Sequence, residues 1–290
     1  QQQARSWYES ALETAGYVPG VRATILQNLA QIDARRGDFS VAFERLREAL
    51  PIYRAIGAKL GEANCIKSLG NLAMRTADLS AAAAHYQAAL TLFTQIDAKL
   101  GQANTLVGQA TLLDARGDLD GALRNLSLAL EVFREMGDVY SQALTHGVAA
   151  QTWLGHGRTD EAYRHWTYRI ALIATLEPTI FVQMLARTLR QMQQHVAGSA
   201  EQAARGCAIL LRELQPLYEQ AFRDSVDRTT QFLGAAMDAV RIVAAVATSA
   251  SGSPQARRTG LERARAMAIR FDADTNNLFE MTAWVDAAVS

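Results

Sequence analysis

The sequence has little cysteine, little proline and no net charge, and each shortage excludes a class of protein. Its two cysteines, Cys65 and Cys207, lie far apart without a Cys-x-x-Cys spacing. This argues against a disulfide framework or a thiolate metal site and favours a reducing compartment. Only 5 of the 290 residues are proline. Acidic and basic side chains balance at 29 each, so the chain lacks the basic footprint of a nucleic-acid-binding protein.

No segment of the sequence resembles a leader peptide or a membrane anchor. The polar start, Gln1–Gln3, does not show a basic segment followed by an apolar one. The longest apolar stretch, at about 234–250, is interrupted by Asp238 and Arg241. It is therefore interpreted as a buried helix rather than a membrane span. We expect a cytoplasmic protein with no membrane partner.

The residues that are abundant are alanine, leucine, glutamine, glutamate and arginine, and 49% of the chain is hydrophobic. This composition predicts a nearly all-helical chain with a large buried core. Self-comparison shows a motif that recurs every 40 residues. It begins with a two-residue turn, at Gly37-Asp38, Ala77-Asp78, Gly117-Asp118 and Gly157-Arg158. In the first three repeats an alanine, a larger residue and a second alanine follow, at Ala42, Leu46 and Ala49, at Ala82, Tyr86 and Ala89, and at Ala122, Leu126 and Ala129. The fourth repeat has Ala162, Trp166 and Arg169 at these positions.

Each part of this motif has a physical reason. The small residue of the turn predicts a helix end in a left-handed conformation, and Asp38, Asp78 and Asp118 are expected to cap the helix that follows. The alanines suit places where two helix backbones approach closely. Two helices of about 17 residues account for the period. One such hairpin cannot bury its apolar face alone, so we expect stacked pairs in a solenoid.

The pattern resembles the tetratricopeptide repeat (TPR) family, in a variant with 40-residue repeats. Leu69-Gly70 matches the motif of the first helix, and Ala82, Tyr86 and Ala89 match the motif of the second helix in full. The resemblance implies an all-α fold: a right-handed superhelical solenoid of antiparallel helix pairs, TPR-like, that ends in irregular helical pairs. In the fourth repeat Arg169 replaces the last alanine, so the packing there must loosen or change.

The resemblance also divides the chain. The TPR array is expected over 1–176, with a half repeat at 1–17 and full repeats at about 18–57, 58–97, 98–137 and 138–176. Residues 177–290 leave the register and are expected to form degenerate TPR-like or capping helices, at about 179–196, 200–222, 225–249, 255–271 and 275–289. A separate helical domain is the alternative for this part. Because the array starts in mid-repeat, we expect the chain to be part of a longer protein.

Candidate binding residues come from the positions that line the concave wall in this family. They are Asn28, Gln31, Arg35, Asn64, Lys67, Asn71, Arg75, Asn104 and Gln151. Amides both donate and accept hydrogen bonds, which suits a peptide backbone, and the basic side chains favour carboxylates on the guest. The wall is expected to end apolar, at Leu144, Gly147, Val148 and Leu154. The alternative is that these are ordinary solvated helix positions.

One family site can be tested directly against the sequence. TPR cochaperones hold a C-terminal carboxylate with a clamp of five polar residues, and Lys67 and Asn71 match two of its positions. Gly108, Leu144 and Val148 stand where the clamp needs Asn, Lys and Arg. A receptor for chaperone tails is therefore rejected.

Residues 272–276 have the opening spacing of a calcium loop. Asn277 and Ala283 replace its glycine and its final glutamate, so calcium binding is not expected. A turn in which Asp274 or Thr275 caps the last helix is the favoured interpretation.

Metal and catalytic sites lack complete residue sets. His146, His156 and His165 cluster near the fourth repeat but have no further ligand at zinc-binding spacing. Cys65 has no His/Asp pair that would activate it, and no phosphate-cradling glycine loop appears. We therefore expect no catalytic residue, no metal and no cofactor.

Together these features predict a non-enzymatic protein–protein interaction module. Its partner would be a peptide or protein segment of acidic character held in the concave groove, or another domain of the parent chain. The repeats also resemble the sensor arms of large bacterial signalling ATPases and regulators. The alternative function is a regulatory TPR domain that senses a small molecule. A third hypothesis, an enzyme with its site in the irregular C-terminal half, has no candidate residues, and a nucleic-acid role is disfavoured by the charge balance.

Overall fold

The computed structural model describes residues 2–14, 18–224, 227–250, 252–276 and 278–289. They belong to two compact units, Gln1–Met136 and Gly137–Ser290. Within the described ranges the regular structure is entirely α-helical, and the helices pack in consecutive pairs. This confirms the predicted fold class, an all-α TPR-like solenoid. The predicted division of the chain at residues 176 and 177 stays a prediction.

The first unit consists of one single helix followed by three helix pairs. Its helices are α1 (Gln2–Thr14), α2 (Pro19–Arg36), α3 (Phe39–Ala55), α4 (Lys59–Arg75), α5 (Leu79–Gln95), α6 (Lys99–Ala115) and α7 (Leu119–Glu135). The single helix α1 packs against α2, in the region of the predicted half repeat, of which residues 15–17 lie outside the described part. Most of these helices have 17 residues, as the repeat length predicts.

Left-handed turns separate the helices at intervals of 20 residues from Gly37 to Gly157. The backbone φ angle is +92° at Gly37, +60° at Ala77 and +51° at Asp97. At Gly57, the Gly57 N–H donates to the Arg54 carbonyl at 3.2 Å, and the next N–H donates to the Tyr53 carbonyl at 2.9 Å. This pair of hydrogen bonds is the Schellman motif, which satisfies the last carbonyl groups of a helix.

Two of the three aspartates that were predicted to cap the following helix do so. The side chain of Asp78 accepts a hydrogen bond from the Ala81 N–H, and that of Asp118 accepts one from the Gly121 N–H. Asp38, which was also expected to cap, makes no such bond. Its carboxylate lies 3.5 Å from Arg36 Nε instead, so the neighbouring guanidinium competes with the backbone for it.

The repeated alanines lie at the contacts between helices, as predicted. Ala42, Ala82 and Ala122 are fully buried. Tyr86, four residues after Ala82, packs against two glycines: a Cβ atom built on Gly70 or on Gly108 would lie 2.8 Å from its ring. The small residues therefore make room for one large side chain, and burial of that side chain stabilises the packing of the helices.

A buried ion-pair network connects α1 to the first helix pair. Asp33 on α2 is completely buried, and its carboxylate lies 2.8 Å from Arg45 Nε and 3.3 Å from Arg5 Nη1. Arg5 also donates to Glu9 at 2.7 Å within α1. A buried carboxylate is stable only when such partners compensate its charge.

The described residues of the second unit form the helices α8 (Val139–Gly155), α9 (Thr159–Ile173), α10 (Pro178–Gly198), α11 (Ala200–Arg223), α12 (Asp227–Ala250), α13 (Pro254–Asp274) and α14 (Met281–Val289). Helices α8 and α9 form a pair, as do α11 and α12, and α13 packs on both α12 and α14. Helix α11 packs extensively on α9, whereas α10 makes smaller contacts with α9, α11 and α12. Thus α10 does not form a closely packed pair with a neighbouring helix, as the helices from α2 to α9 do.

Helix α12 is the central helix of this unit. Ala236, Ala239, Val240 and Val243 on it are all buried in the core. Among the described helices, α12 alone is long and apolar enough to cross a membrane, and 56% of its most apolar window is buried inside the protein. The interpretation of the apolar stretch at 234–250 as a core helix is in agreement with this burial.

The last helix begins later than the sequence suggested, at Met281 instead of residue 275. The cap is neither Asp274 nor Thr275. Both carboxylate oxygens of Asp272 accept backbone N–H groups at the start of α14, from Met281 at 3.0 Å and from Thr282 at 2.7 Å. Asn277, which stands at the glycine position of a calcium loop, lies outside the described residues.

Candidate functional site

A cleft of about 310 Å³ opens in the first unit between α2 and α4, with α3 behind it. Its apolar lining comes from Ala30, Ala34, Ala42, Leu46 and Leu72, and its polar lining from Gln31, Arg35, Lys67, Ser68, Asn71 and Arg75. We call this region the α2–α4 cleft. The polar residues are spaced by about one helical turn along each helix, so they face the same opening.

The α2–α4 cleft brings together more than half of the predicted binding residues. Gln31 and Arg35 come from α2, and Lys67, Asn71 and Arg75 come from α4. The assignment of a binding role to them stays a prediction.

The charges around the α2–α4 cleft are all positive. Lys67, Arg35 and Arg75 line it, and no aspartate or glutamate does. In the part of the chain that the structure describes, none of these three cations forms an ion pair with a carboxylate. Lys67 is half-buried, and this burial lowers the pKa of its ammonium group. An uncompensated ammonium in a partly desolvated cleft attracts an anion.

Contacts with aromatic side chains position two of the polar residues. The guanidinium carbon of Arg75 lies 5.1 Å from the centre of the Phe39 ring, a cation–π contact. The hydroxyl of Tyr86 donates to Asn71 Oδ1 at 2.8 Å. The aromatic contacts therefore fix the orientation of Arg75 and Asn71 in the α2–α4 cleft.

Four predicted residues do not line the α2–α4 cleft. The amide nitrogen of Asn28 donates to the Tyr8 hydroxyl at 3.3 Å. Asn104 donates to the Leu100 carbonyl of its own helix at 2.9 Å, and Asn64 is half-buried on α4. Gln151 is exposed on α8 in the second unit.

The structure describes the surroundings of Cys65 and of the histidine pair near the fourth repeat. Cys65 is buried, its Sγ donates to the Leu46 carbonyl at 3.3 Å, and burial raises the pKa of its thiol to about 12. A thiol of this kind is a poor nucleophile at neutral pH. The Nδ1 atoms of His146 and His165 lie 2.9 Å apart. No group of three or more His, Cys, Asp or Glu side chains that could hold a metal ion occurs there.

The fourth repeat holds a buried contact behind the positions that were expected to form the apolar end of the wall, and that expectation stays a prediction. The side chain of Arg169 on α9 extends across Gly147 on α8, where a Cβ atom would overlap with Arg169 Nη1. On the sequence alone, Arg169 and Gly147 were considered separately, and it was not predicted that they form a pair. One sign of the pair is present in the sequence. In the fourth repeat a large residue, Arg169, appears on the second helix, and a residue without a side chain, Gly147, appears on the first.

Comparisons with known proteins bear on the fold. No protein-family model matches the sequence, and a search of curated proteins gives no match either. Among solved structures, BtubC (BKLC) from P. vanneervenii is similar with a TM-score of 0.56 and 17% identity, covering 87% of this chain and 92% of that one. A Signal Transduction ATPase with Numerous Domains (STAND) protein with a tetratricopeptide repeat sensor, from Pyrococcus horikoshii, is similar with a TM-score of 0.59 and 15% identity.

The alignment with the STAND protein covers 97% of this chain and 40% of that one. Identities this low show a shared architecture and leave activity and partners open. The helix pairs, the 40-residue register and these neighbours agree, and the chain therefore has the fold of the tetratricopeptide-repeat proteins.

Proposed function

We propose that the chain is a non-enzymatic interaction module that binds an acidic peptide or protein segment in the α2–α4 cleft. The observation that carries this proposal is the charge of the cleft: three cations that form no ion pair with a described carboxylate, and no carboxylate among the lining residues. A guest that brings a carboxylate would compensate the buried part of this charge. Ion pairs formed in such a partly desolvated site are stronger than those on an open surface.

A peptide fits the remaining chemistry of the α2–α4 cleft. Gln31, Ser68 and Asn71 offer donors and acceptors suited to a peptide backbone. Between them, Ala30, Ala34 and Leu72 supply an apolar floor for a small or aliphatic side chain. A segment that alternates carboxylate and aliphatic side chains would use both properties.

We further propose that the chain belongs to a larger cytoplasmic signalling or regulatory protein. The similarity to a STAND protein with a TPR sensor, of which this chain spans 40%, supports this context. The two buried free thiols, Cys65 and Cys207, are consistent with a reducing compartment. In such a protein the guest segment comes either from a separate partner or from another domain of the same chain.

A small regulatory molecule is the second candidate for the α2–α4 cleft. The volume of about 310 Å³ lies at the lower end of the range for small-molecule sites. An organic anion such as a dicarboxylate would use the same cations. It would gain nothing from the amide groups spread along the two helices.

The test compares two fluorescently labelled peptides of equal length, one rich in Asp and Glu and the other with Asn and Gln in their place. Binding to the full chain is followed by anisotropy, with the charge-reversal variant Lys67→Glu and the same reversal at Lys99. Lys99 is exposed on α6 and does not line the α2–α4 cleft, so it is a matched control for charge. Loss of one buried ion pair should weaken the acidic peptide about tenfold or more.

Three results would oppose the proposal. Equal affinity for the two peptides would show that charge does not select the guest. Equal weakening by Lys67→Glu and Lys99→Glu would show that only the overall field of the protein matters. Binding of free dicarboxylates in preference to the acidic peptide would favour the small-molecule candidate.

A further inference from the structure

Arg169 on α9 is a cation that the proposed function does not use. Only 2% of the residue is exposed, and neither its Nε nor its Nη2 has a hydrogen-bond partner among the described residues. Buried donors normally find acceptors, and a buried charge without a partner is strongly unfavourable. An ion bound from outside the chain is one way in which such a group is satisfied.

The repeat register shows that Arg169 belongs to a reciprocal exchange. Arg169 stands where the second and third repeats have the fully buried Ala89 and Ala129. Gly147 stands where those repeats have Lys67 and Val107. In the fourth repeat the side chain from the second helix thus fills the space left by the missing side chain of the first. Its Nη1 reaches the position that a Cβ atom of residue 147 would need.

The electrostatic surroundings do not compensate the guanidinium. Arg187 on α10 has the same sign and disfavours the charged form of Arg169, whereas Tyr140 on α8 favours it. Burial and Arg187 lower the pKa of Arg169 to about 10. No aspartate or glutamate in the described chain lies within ion-pair distance of Arg169. Among the described residues, the guanidinium therefore has a like charge acting on it and no carboxylate to balance it.

We propose that the Nε–Nη2 edge of Arg169 is a binding site for an oxyanion, either a carboxylate or a phosphate group. These two N–H groups form the planar fork that holds two oxygens of one oxyanion. Arg265 in the same unit shows the filled arrangement, with Nε 2.5 Å and Nη2 3.3 Å from the two carboxylate oxygens of Asp286. At Arg169 the same edge is without its acceptor.

Entry to this site requires a local rearrangement, because the fork is covered in the present conformation. The two side chains that interact electrostatically with the guanidinium reach the surface, since Tyr140 is 46% exposed and Arg187 is also exposed. Arg187 then supplies a second positive charge to the bound oxyanion. The site lies within the second unit and does not depend on the α2–α4 cleft.

The experiment follows thermal unfolding of the full chain while chloride is replaced by sodium phosphate or by succinate at equal ionic strength. Ligand binding to the folded state raises the melting temperature, by roughly 3–5 °C at about ten times the dissociation constant. We expect a saturable rise with at least one of the two anions, and the one that acts distinguishes a phosphate from a carboxylate source. Because the α2–α4 cleft is itself a candidate site for dicarboxylates, every protein in this experiment also carries Lys67→Glu, and the rise should persist in that background.

The matched variant is Arg169→Ala combined with Gly147→Val, which recreates the Val107 and Ala129 arrangement of the third repeat. We expect it to melt higher than the wild type in chloride and to lose the anion-dependent rise. Arg169→Lys keeps the charge but not the fork, and it should bind at least about tenfold more weakly. Absence of a saturable rise with both anions, or a rise retained by the double variant, would overturn the proposal. If the double variant does not fold, unchanged affinity in Arg169→Lys overturns it.

Discussion

Single residues decide where helices approach closely in this protein and where positive charge collects in the α2–α4 cleft. Alanine and glycine at repeated positions make room for larger neighbours such as Tyr86. The sequence shows these positions directly, because they recur every 40 residues. It also placed Lys67 and Asn71 on one wall. It did not show the Arg169–Gly147 pair, because that contact depends on which side chain crosses to the neighbouring helix.

The close approach at Ala82 gives a test of the repeat register. Ala82→Glu would bury a carboxylate without a partner, which costs roughly 3–5 kcal/mol, so the first unit should unfold at a markedly lower temperature. Ala84→Glu is the control, because Ala84 is exposed on the same helix and should leave the melting curve nearly unchanged. Circular dichroism on heating measures both. Equal stability of the two variants would show that Ala82 is not at a helix contact.

Lys67 gives a prediction about pH. Burial lowers the pKa of folded Lys67 below its ordinary value of 10.5, whereas the unfolded chain keeps that ordinary value. Between these two pKa values the unfolded state binds more protons than the folded state, so the contribution of Lys67 to stability rises with pH. Affinity for an acidic peptide should fall over the same range, because the neutral amine no longer pairs with a carboxylate.

This prediction is measured as a difference between the wild type and Lys67→Met across alkaline pH, by denaturant unfolding and by peptide binding. The difference cancels the titration of buried tyrosines such as Tyr53 and Tyr86, whose pKa values are raised by burial. Parallel stability curves for the two proteins would contradict the assignment of a partly desolvated ammonium in the α2–α4 cleft.

At the scale of helices, the regular repeats were predictable and the C-terminal elements were less so. In the first unit, from α2 onward, a residue in the left-handed conformation follows every helix end at an interval of 20 positions. The repeat therefore predicts where these helices end. Beyond Pro178 the motif is lost, and α10 departs from the pairing that the repeats follow. The start of α14 was missed because its cap, Asp272, is 9 residues away in sequence from the N–H group of Met281. Local patterns do not report a bond of that range.

The cap at Asp272 gives the prediction at this scale. Asp272 is buried and accepts two backbone N–H groups of α14. Asp272→Ala should therefore lower the free energy of unfolding by about 1–3 kcal/mol. Asp274→Ala is the matched control, since Asp274 is exposed and was the candidate cap in the sequence. Hydrogen exchange should show faster exchange of α14 amides in the first variant only. Faster exchange in the second variant would contradict the assignment of the cap.

For the whole molecule, the overall charge and the local charge are different properties. The chain has no net charge, yet every charged residue that lines the α2–α4 cleft is a cation. Composition alone therefore disfavours nucleic acid as a partner but could not locate a site for an acidic one. The family resemblance indicated a wall, and only the folded structure shows which of the wall residues meet around one opening.

The most direct measurement is to map where an acidic peptide attaches to the full chain. A peptide rich in Asp and Glu, with a photoreactive group at its centre, is irradiated with the protein and the crosslinked residues are identified by mass spectrometry. The account predicts crosslinks to α2 and α4 around Gln31, Ser68 and Asn71, and their loss in Lys67→Glu but not in Lys99→Glu. Crosslinks that lie elsewhere, or that survive Lys67→Glu, would contradict the α2–α4 cleft as the binding site.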